Sequence, residues 1–234
     1  MSSLAFLQSD GAAIELPARS PLARASLSAR ASLAFRDGWE IAVSYTDSRA
    51  EAHACSESVR FADVSHYGKL ELQGPIDALG LGLQFGTAVR ARSASWCKAT
   101  PNRGLVICDA TSTAALREQL SDTFGGHVLD VTATYAPLAL LGPLARETFA
   151  RFCALDLRPT VAPIGAFRPG SIARTPGYVL RQGQEHYLAI FGASVADYVW
   201  QVVADAASSL GGRPVGLDVL HGAGTPFEDV QTHA

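Results

Sequence analysis

His66 is the side chain whose type best suits proton transfer near neutral pH, since an imidazole ordinarily titrates at about 6.5. It closes the run Asp63-Val64-Ser65-His66. A lone histidine more often serves as a hydrogen-bonded structural group than as a base, and no nucleophile elbow stands with it to make a triad. The cysteines Cys55, Cys97, Cys108 and Cys153 form no C-x-x-C pair and lie at no zinc-ligand spacing from a histidine. A reduced, cytoplasmic chain without a metal cluster is therefore expected. No glycine-rich phosphate loop is present either. The run Gly80-Leu81-Gly82-Leu83 is too short and lacks the strand-to-helix context of a dinucleotide site. Any chemistry must come from groups that the fold gathers from separate segments.

An internal repeat organises those segments. One copy runs from Asp63-Val64-Ser65-His66-Tyr67-Gly68-Lys69 to Gly74-Pro75, the other from Asp130-Val131-Thr132 through Tyr135 to Gly142-Pro143. Residues 69–73 alternate polar and apolar, which predicts a half-buried strand. Residues 138–141 are continuously apolar, which predicts a strand buried on both faces. Pro75 and Pro143 end the strands, because proline cannot donate to a ladder, and suit the first turn of a helix. Short helices are expected over 76–83 and 144–152, the second with Leu144, Phe149 and Phe152 toward the core.

Other elements frame the repeat. Strands are expected at 40–45 and 104–108, and helices at 47–58, 111–124 and 194–210. The last helix carries Val195, Tyr198, Val199, Val202 and Val203 at helical spacing. Residues 177–192 read as a hairpin turning through Gln182-Gly183. The fold class is α+β, with pseudo-symmetric duplicated strand–helix units and mixed or antiparallel sheets. We expect residues 1–19 to be an N-terminal extension, 20–225 one domain and 226–234 a tail.

Composition bounds the rest. The 234 residues are 48% hydrophobic and 18% charged, enough to build a substantial core, and the net charge of -3 gives no electrostatic case for nucleic acid or a membrane surface. No apolar run reaches the roughly 18 residues that span a bilayer. The Arg/Ser/Ala-rich stretch 19–36 is similar in composition to an organelle transit peptide, but an amphipathic segment opening the domain is the expected reading.

Taken together, these landmarks carry a family resemblance. Gly38-Trp39-Glu40, Tyr45, Glu51-Ala52-His53 and Phe61-Ala62-Asp63-Val64-Ser65-His66 resemble the N-terminal stretch of the glycine-cleavage T-protein family, a superfamily that binds tetrahydrofolate. Leu138-Ala139-Leu140-Leu141-Gly142-Pro143 and Arg213-Pro214-Val215-Gly216-Leu217-Asp218 resemble later landmarks of the same family. Residues 104–120, Leu155-Asp156-Leu157-Arg158-Pro159 and Ala196-Asp197-Tyr198-Val199-Trp200 look more like the sarcosine oxidase gamma subunit. The resemblance covers roughly residues 20–225. It implies the folate-binding module without the C-terminal barrel of the full T-protein.

The resemblance also implies a site, and this sequence departs from it. The family places an acidic residue of a G-G-x-x-D-D segment beside the folate nitrogens, where a carboxylate can orient the nucleophile and stabilise positive charge. Here Asp109 is the only stand-in, with His66 as a second weak catalytic candidate. We expect the acidic hairpin to be deleted and Asp109 to start a helix or turn; the alternative is that Asp109 replaces the acid. The family's pterin hairpin reads R-T-G-Y-T-G-E. Arg174, Tyr178 and Tyr187 match it in type, Leu180-Arg181 stands where Gly-Glu is expected, and Glu185 substitutes only if the hairpin is re-registered. Tyr67 occupies a position from which an aromatic could stack on the pterin. The resemblance thus implies tetrahydrofolate as ligand and aminomethyl or N-methyl transfer as activity. Its alternatives are a non-catalytic gamma-like subunit packed on flavoprotein oxidase subunits, or a stand-alone member with a re-purposed pocket.

Overall fold

The computed structural model describes residues 17–46 and 57–221. Its strands, in chain order, begin with β1 (Ala18–Arg19), β2 (Ser32–Arg36), β3 (Trp39–Ser44), β4 (Arg60–Asp63) and β5 (Gly68–Gln73). They continue with β6 (Ala88–Ala91), β7 (Ala94–Thr100), β8 (Arg103–Cys108), β9 (His127–Asp130) and β10 (Tyr135–Leu141). The last four are β11 (Phe167–Ile172), β12 (Thr175–Arg181), β13 (His186–Gly192) and β14 (Arg213–Pro214). They form a three-stranded sheet β1-β3-β2, a six-stranded sheet β11-β12-β13-β10-β4-β14 and a five-stranded sheet β6-β7-β8-β5-β9.

The layers follow from which side chains each strand alternates onto each face. On one face of the six-stranded sheet, Phe61, Leu138, Leu140 and Phe191 meet Phe149, Val199 and Trp200 of the helices Ala145–Ala150 and Ala196–Ser208. On its other face, Ala62, Val64, Ala139, Leu188 and Ile190 meet Cys97, Leu105 and Ile107 of the five-stranded sheet. The far side of that sheet buries Leu70, Leu72, Trp96 and Val106 against Leu120 and Phe124 at the helix Thr113–Thr123. The order is helices, sheet, sheet, helix.

The two copies of the repeat supply interior strands of different sheets. The second copy is β10, paired on both sides by β13 and β4, and its residues 138–141 are buried as the continuous apolar run predicts. Gly142-Pro143 then leads to the helix Ala145–Ala150. The first copy is β5. After Gly74-Pro75 it makes only a single 3-10 turn, Ile76–Leu79, where a helix to 83 is expected, because Gly80 closes the turn in the left-handed region at φ 68°.

One further expectation is corrected, and one element was not foreseen. The long helix is Ala196–Ser208, and its buried stripe runs through Val199, Trp200, Val203 and Ala207, while Tyr198 is 48% exposed. A short helix, Leu217–His221, follows β14, where sequence periodicity gave no signal. The expected helix 47–58 and tail 226–234 lie almost wholly outside the described residues.

Candidate functional site

The turn from β4 to β5 carries the first repeat from one sheet to the other, and every residue from Phe61 to Leu70 is buried. Such a turn must satisfy its polar groups internally. The Asp63 carboxylate accepts hydrogen bonds from Ser20 Oγ and, at 2.9 Å, from the Ser65 amide. Lys69 Nζ donates to the Ser65 carbonyl at 2.8 Å. Burial holds the Asp63 pKa above the usual carboxylate range, against the pull of the Ser20 and Ser65 hydrogen bonds and of the Lys69 charge. Burial also pulls Lys69 down to about 7, opposed by Asp63, Asp130 and Cys108.

Lys69 corrects the reading of β5 as a half-solvated strand. Leu70 and Leu72 do face the helical layer. Lys69 and Glu71, paired with Ile107 and Leu105, share the opposite face, which the six-stranded sheet covers. The polar half of the alternation therefore points into the interface between the two sheets.

The residues singled out from the sequence fall into several places. His66 and Tyr67 are buried with ring centroids 4.6 Å apart. Burial, seconded by the Asp109 carboxylate, raises the Tyr67 phenol, so Asp109 does come into this neighbourhood. Asp109 also ends β8 and starts the next helix: its carbonyl accepts from Ser112 N and Thr113 Oγ1, both at 3.1 Å. The chain ahead of β8 is a hairpin, β6–β7, turning through Arg92 and Ser93, each at φ 54°. From Ala88 to Thr100 that hairpin contains no Asp or Glu.

The four residues expected on the second hairpin do not converge. Tyr178 pairs with Ile190 and faces that interface, whereas Tyr187 pairs with Arg181 on the helix-covered face. A strand's period of two sends them to opposite sides. Arg174 lies in the β11–β12 turn, at the other end of β12 from Glu185, and is in the left-handed region at φ 62°. Glu185 is exposed beside Tyr187 and Arg146, in a groove outside the interface.

What the interface gathers instead is an aromatic wall. Tyr178 stacks on Phe167, with centroids 4.8 Å apart and planes 13° from parallel, and meets Tyr135 edge-on at 6.3 Å. The Tyr135 phenol is raised by burial, then by Tyr178 and by the Glu71 carboxylate. Glu71 accepts from Arg103 at 3.0 Å. Sequence reading missed Phe167, Tyr135 and Glu71. Tyr135 carried a signal as the tyrosine of the second repeat, but Glu71 looked like an ordinary solvent-facing strand residue.

Cys97, Cys108 and Cys153 are free, buried thiols, and burial raises the pKa of each. Among the described residues no group of His, Cys, Asp and Glu could hold a metal ion, and no helix is long and apolar enough to cross a membrane.

Two stacked sheets flanked by helices, with tyrosines packed between the sheets, make this an α+β protein. Residues 74–209 match the family "Sarcosine oxidase, gamma subunit", and the chain belongs to that family. The sarcosine oxidase subunit gamma of Corynebacterium sp. (strain P-1) is 28% identical over 147 residues, 59% of this chain and 70% of that protein. The aminomethyltransferase of Acidobacterium capsulatum is 29% identical over 208 residues, 77% of this chain but 54% of that protein. This chain thus spans about half the length of the aminomethyltransferases it matches. Among solved structures, heterotetrameric sarcosine oxidase from Corynebacterium sp. U-96, in complex with pyrrole 2-carboxylate, shares the fold with a TM-score of 0.64 and 21% identity, covering 82% of this chain and 96% of that one. Glycine cleavage system aminomethyltransferase T from Bartonella henselae does so with a TM-score of 0.71 and 16% identity, covering 86% and 60%.

Proposed function

We propose that this chain is a non-catalytic gamma-type subunit that docks on the flavoprotein part of a heteromeric amine oxidase. One surface feature carries the reading. Phe85, Ile164 and Val161 are 63%, 61% and 42% exposed. They stand on adjoining backbone: Arg168 donates to the Gly86 and Val161 carbonyls at 2.5 and 3.0 Å, and Ala88 N donates to Gly165 O at 2.6 Å. Large apolar side chains held together at the surface are what a partner covers. The hairpin without an acid, and Leu180-Arg181 in place of Gly-Glu, favour a subunit over a transferase. The expected result is that the chain co-purifies in fixed stoichiometry with a flavin-containing amine oxidase, and that a Phe85→Asp, Ile164→Asp double variant folds but separates from it. A monomer that transfers one-carbon units to tetrahydrofolate unaided would overturn the reading.

The aromatic wall favours a second reading, in which a folate-type ligand enters between the two sheets. Stacking on Tyr178 would supply the wall, and Glu71, rather than Glu185, the acceptor for an amino-pyrimidine edge. Tetrahydrofolate at 100 times its Kd would then stabilise the protein by about 2.7 kcal/mol, a rise in Tm of several degrees, and Tyr178→Ala would abolish the rise. An unchanged Tm at saturating tetrahydrofolate rejects this reading and leaves the first intact.

A further inference from the structure

One end of the interface between the two sheets collects cations without an acid among the described residues. Leu141 of β10 pairs with Arg60 on one side and with His186 on the other. Gln182 N donates to His186 O at 2.9 Å, which sets Gln182 next in the row. The order Arg60, Leu141, His186, Gln182 therefore crosses one end of the six-stranded sheet, on the face that looks at the other sheet. Arg90, paired with Ser95 on the β6–β7 hairpin, approaches from the five-stranded sheet. A cavity of about 190 Å³ lies beside the Gln182 end of this row, lined by Arg90, Ser95, Leu180 and Gln182 among others. That is room for about six water-sized groups.

The polar groups here lack the partners that burial requires. Arg60 Nε and both amide atoms of Gln182, Nε2 and Oε1, are buried without a hydrogen-bond partner. Arg181 is not one of these groups: its guanidinium lies over the Tyr187 ring on the helix-covered face and donates to the carbonyls of Ala162, Gly183 and Gln184. Arg60 and Arg90 form no ion pair among the described residues, and no carboxylate lines the cavity. Burial and then the charges of Arg90 and Arg60 pull the His186 ring down to about 4, so it is neutral at pH 7 and both arginines act on this spot. Unpaired buried polar atoms and uncompensated cations are costly, and an anion in the cavity beside Arg90 and Gln182 relieves both costs. Gln182 narrows the class further, because its unpaired Oε1 requires a donor while its Nε2 requires an acceptor.

We propose that this cavity binds a small carboxylate bearing an N–H or O–H donor beside the carboxyl group, with Arg90 on the anion and the Gln182 amide on the neighbouring donor. This site stands independently of the subunit reading, since it uses only this chain. Titration calorimetry of the full chain with N-acetylglycine, its uncharged amide N-acetylglycinamide, and inorganic phosphate tests it. N-acetylglycine is expected to bind one equivalent. The uncharged amide, the parent with phosphate, and the variants Arg90→Met and Gln182→Leu with N-acetylglycine are each expected to bind about tenfold more weakly or less. Arg90 is exposed on a hairpin, so its variant keeps the fold, and the ligand comparison needs no variant. Equal binding of N-acetylglycine and N-acetylglycinamide, or no binding of either, overturns the proposal. Phosphate binding as tightly as N-acetylglycine overturns the assignment to carboxylates.

Discussion

Replacing Lys69 by Met is expected to remove a pH dependence of stability that the parent carries between about pH 7 and 10.5. In the unfolded chain the lysine titrates near 10.5; folded, burial pulls it down to about 7. Between those values the unfolded state holds a proton that the folded state lacks. Stability of the parent therefore rises with pH across the window, by up to about 1.4 kcal/mol per pH unit. Below pH 7 the penalty is complete and flat, on the order of 5 kcal/mol for the whole shift. The net gain in the variant is smaller, because the Ser65 carbonyl loses its donor and Asp63 loses a neighbouring positive charge. The slope is the cleaner quantity. The advantage of the variant over the parent should shrink by about 1.4 kcal/mol per unit between pH 7.5 and 9, or roughly 2–4 °C in Tm per kcal/mol for a chain of this size. Cys97 and Tyr67, both raised by burial, make both proteins lose stability as pH climbs past the unfolded thiol and phenol values, so those contributions cancel in the difference, whereas Cys108, which Lys69 pulls down, loses that pull in the variant. Parallel stability curves for the two proteins would show that Lys69 is charged in the folded state.

That lysine also marks where sequence reading stopped. The strands of both repeats were legible because period two, a continuous apolar run and Gly-Pro are local signals. The hairpin β12–β13 was legible for the same reason. What covers a strand's polar face is not local. Lys69 and Glu71 alternate with Leu70 and Leu72 as solvent-facing residues would, and only the packing of β4, β10 and β13 over them makes that face an interface. The same gap separated Tyr178 from Tyr187: both matched a family pattern in type, yet register puts them on opposite faces. Arg90 and Gln182 come from distant segments and line one cavity only through the stacking of the two sheets. The Arg181 substitution for an expected Glu was visible in the sequence. The unpaired amide and guanidinium beside it were not.

Gly216→Ala is expected to cost about 3 kcal/mol or more, roughly 6–12 °C in Tm, through a clash and not through backbone conformation. Gly216 sits in Arg213-Pro214-Val215-Gly216-Leu217, where the chain leaves β14 for the helix Leu217–His221. Val215 N donates to Phe61 O at 2.9 Å, which fixes the segment against β4. Gly216 O accepts from Val219 N and Leu220 N, both at 3.2 Å, which fixes the helix to the segment. With both sides held, a Cβ on Gly216 would stand 1.9 Å from the Val43 carbonyl oxygen and 2.3 Å from Ser44 N, both main-chain atoms of β3 that no rotamer change can move aside. Relief requires the three-stranded sheet to part from this helix. That would withdraw Leu217, Val219 and Leu220 from the core they share with Ile41. Gly192→Ala is the matched control: its Cβ would meet only Ser194 Oγ at 3.7 Å, an ordinary contact, and its cost should stay within about 1 kcal/mol. Equal melting temperatures for the two variants would mean that β3 yields freely, and that the close approach at Gly216 does not hold the small sheet to the rest of the fold.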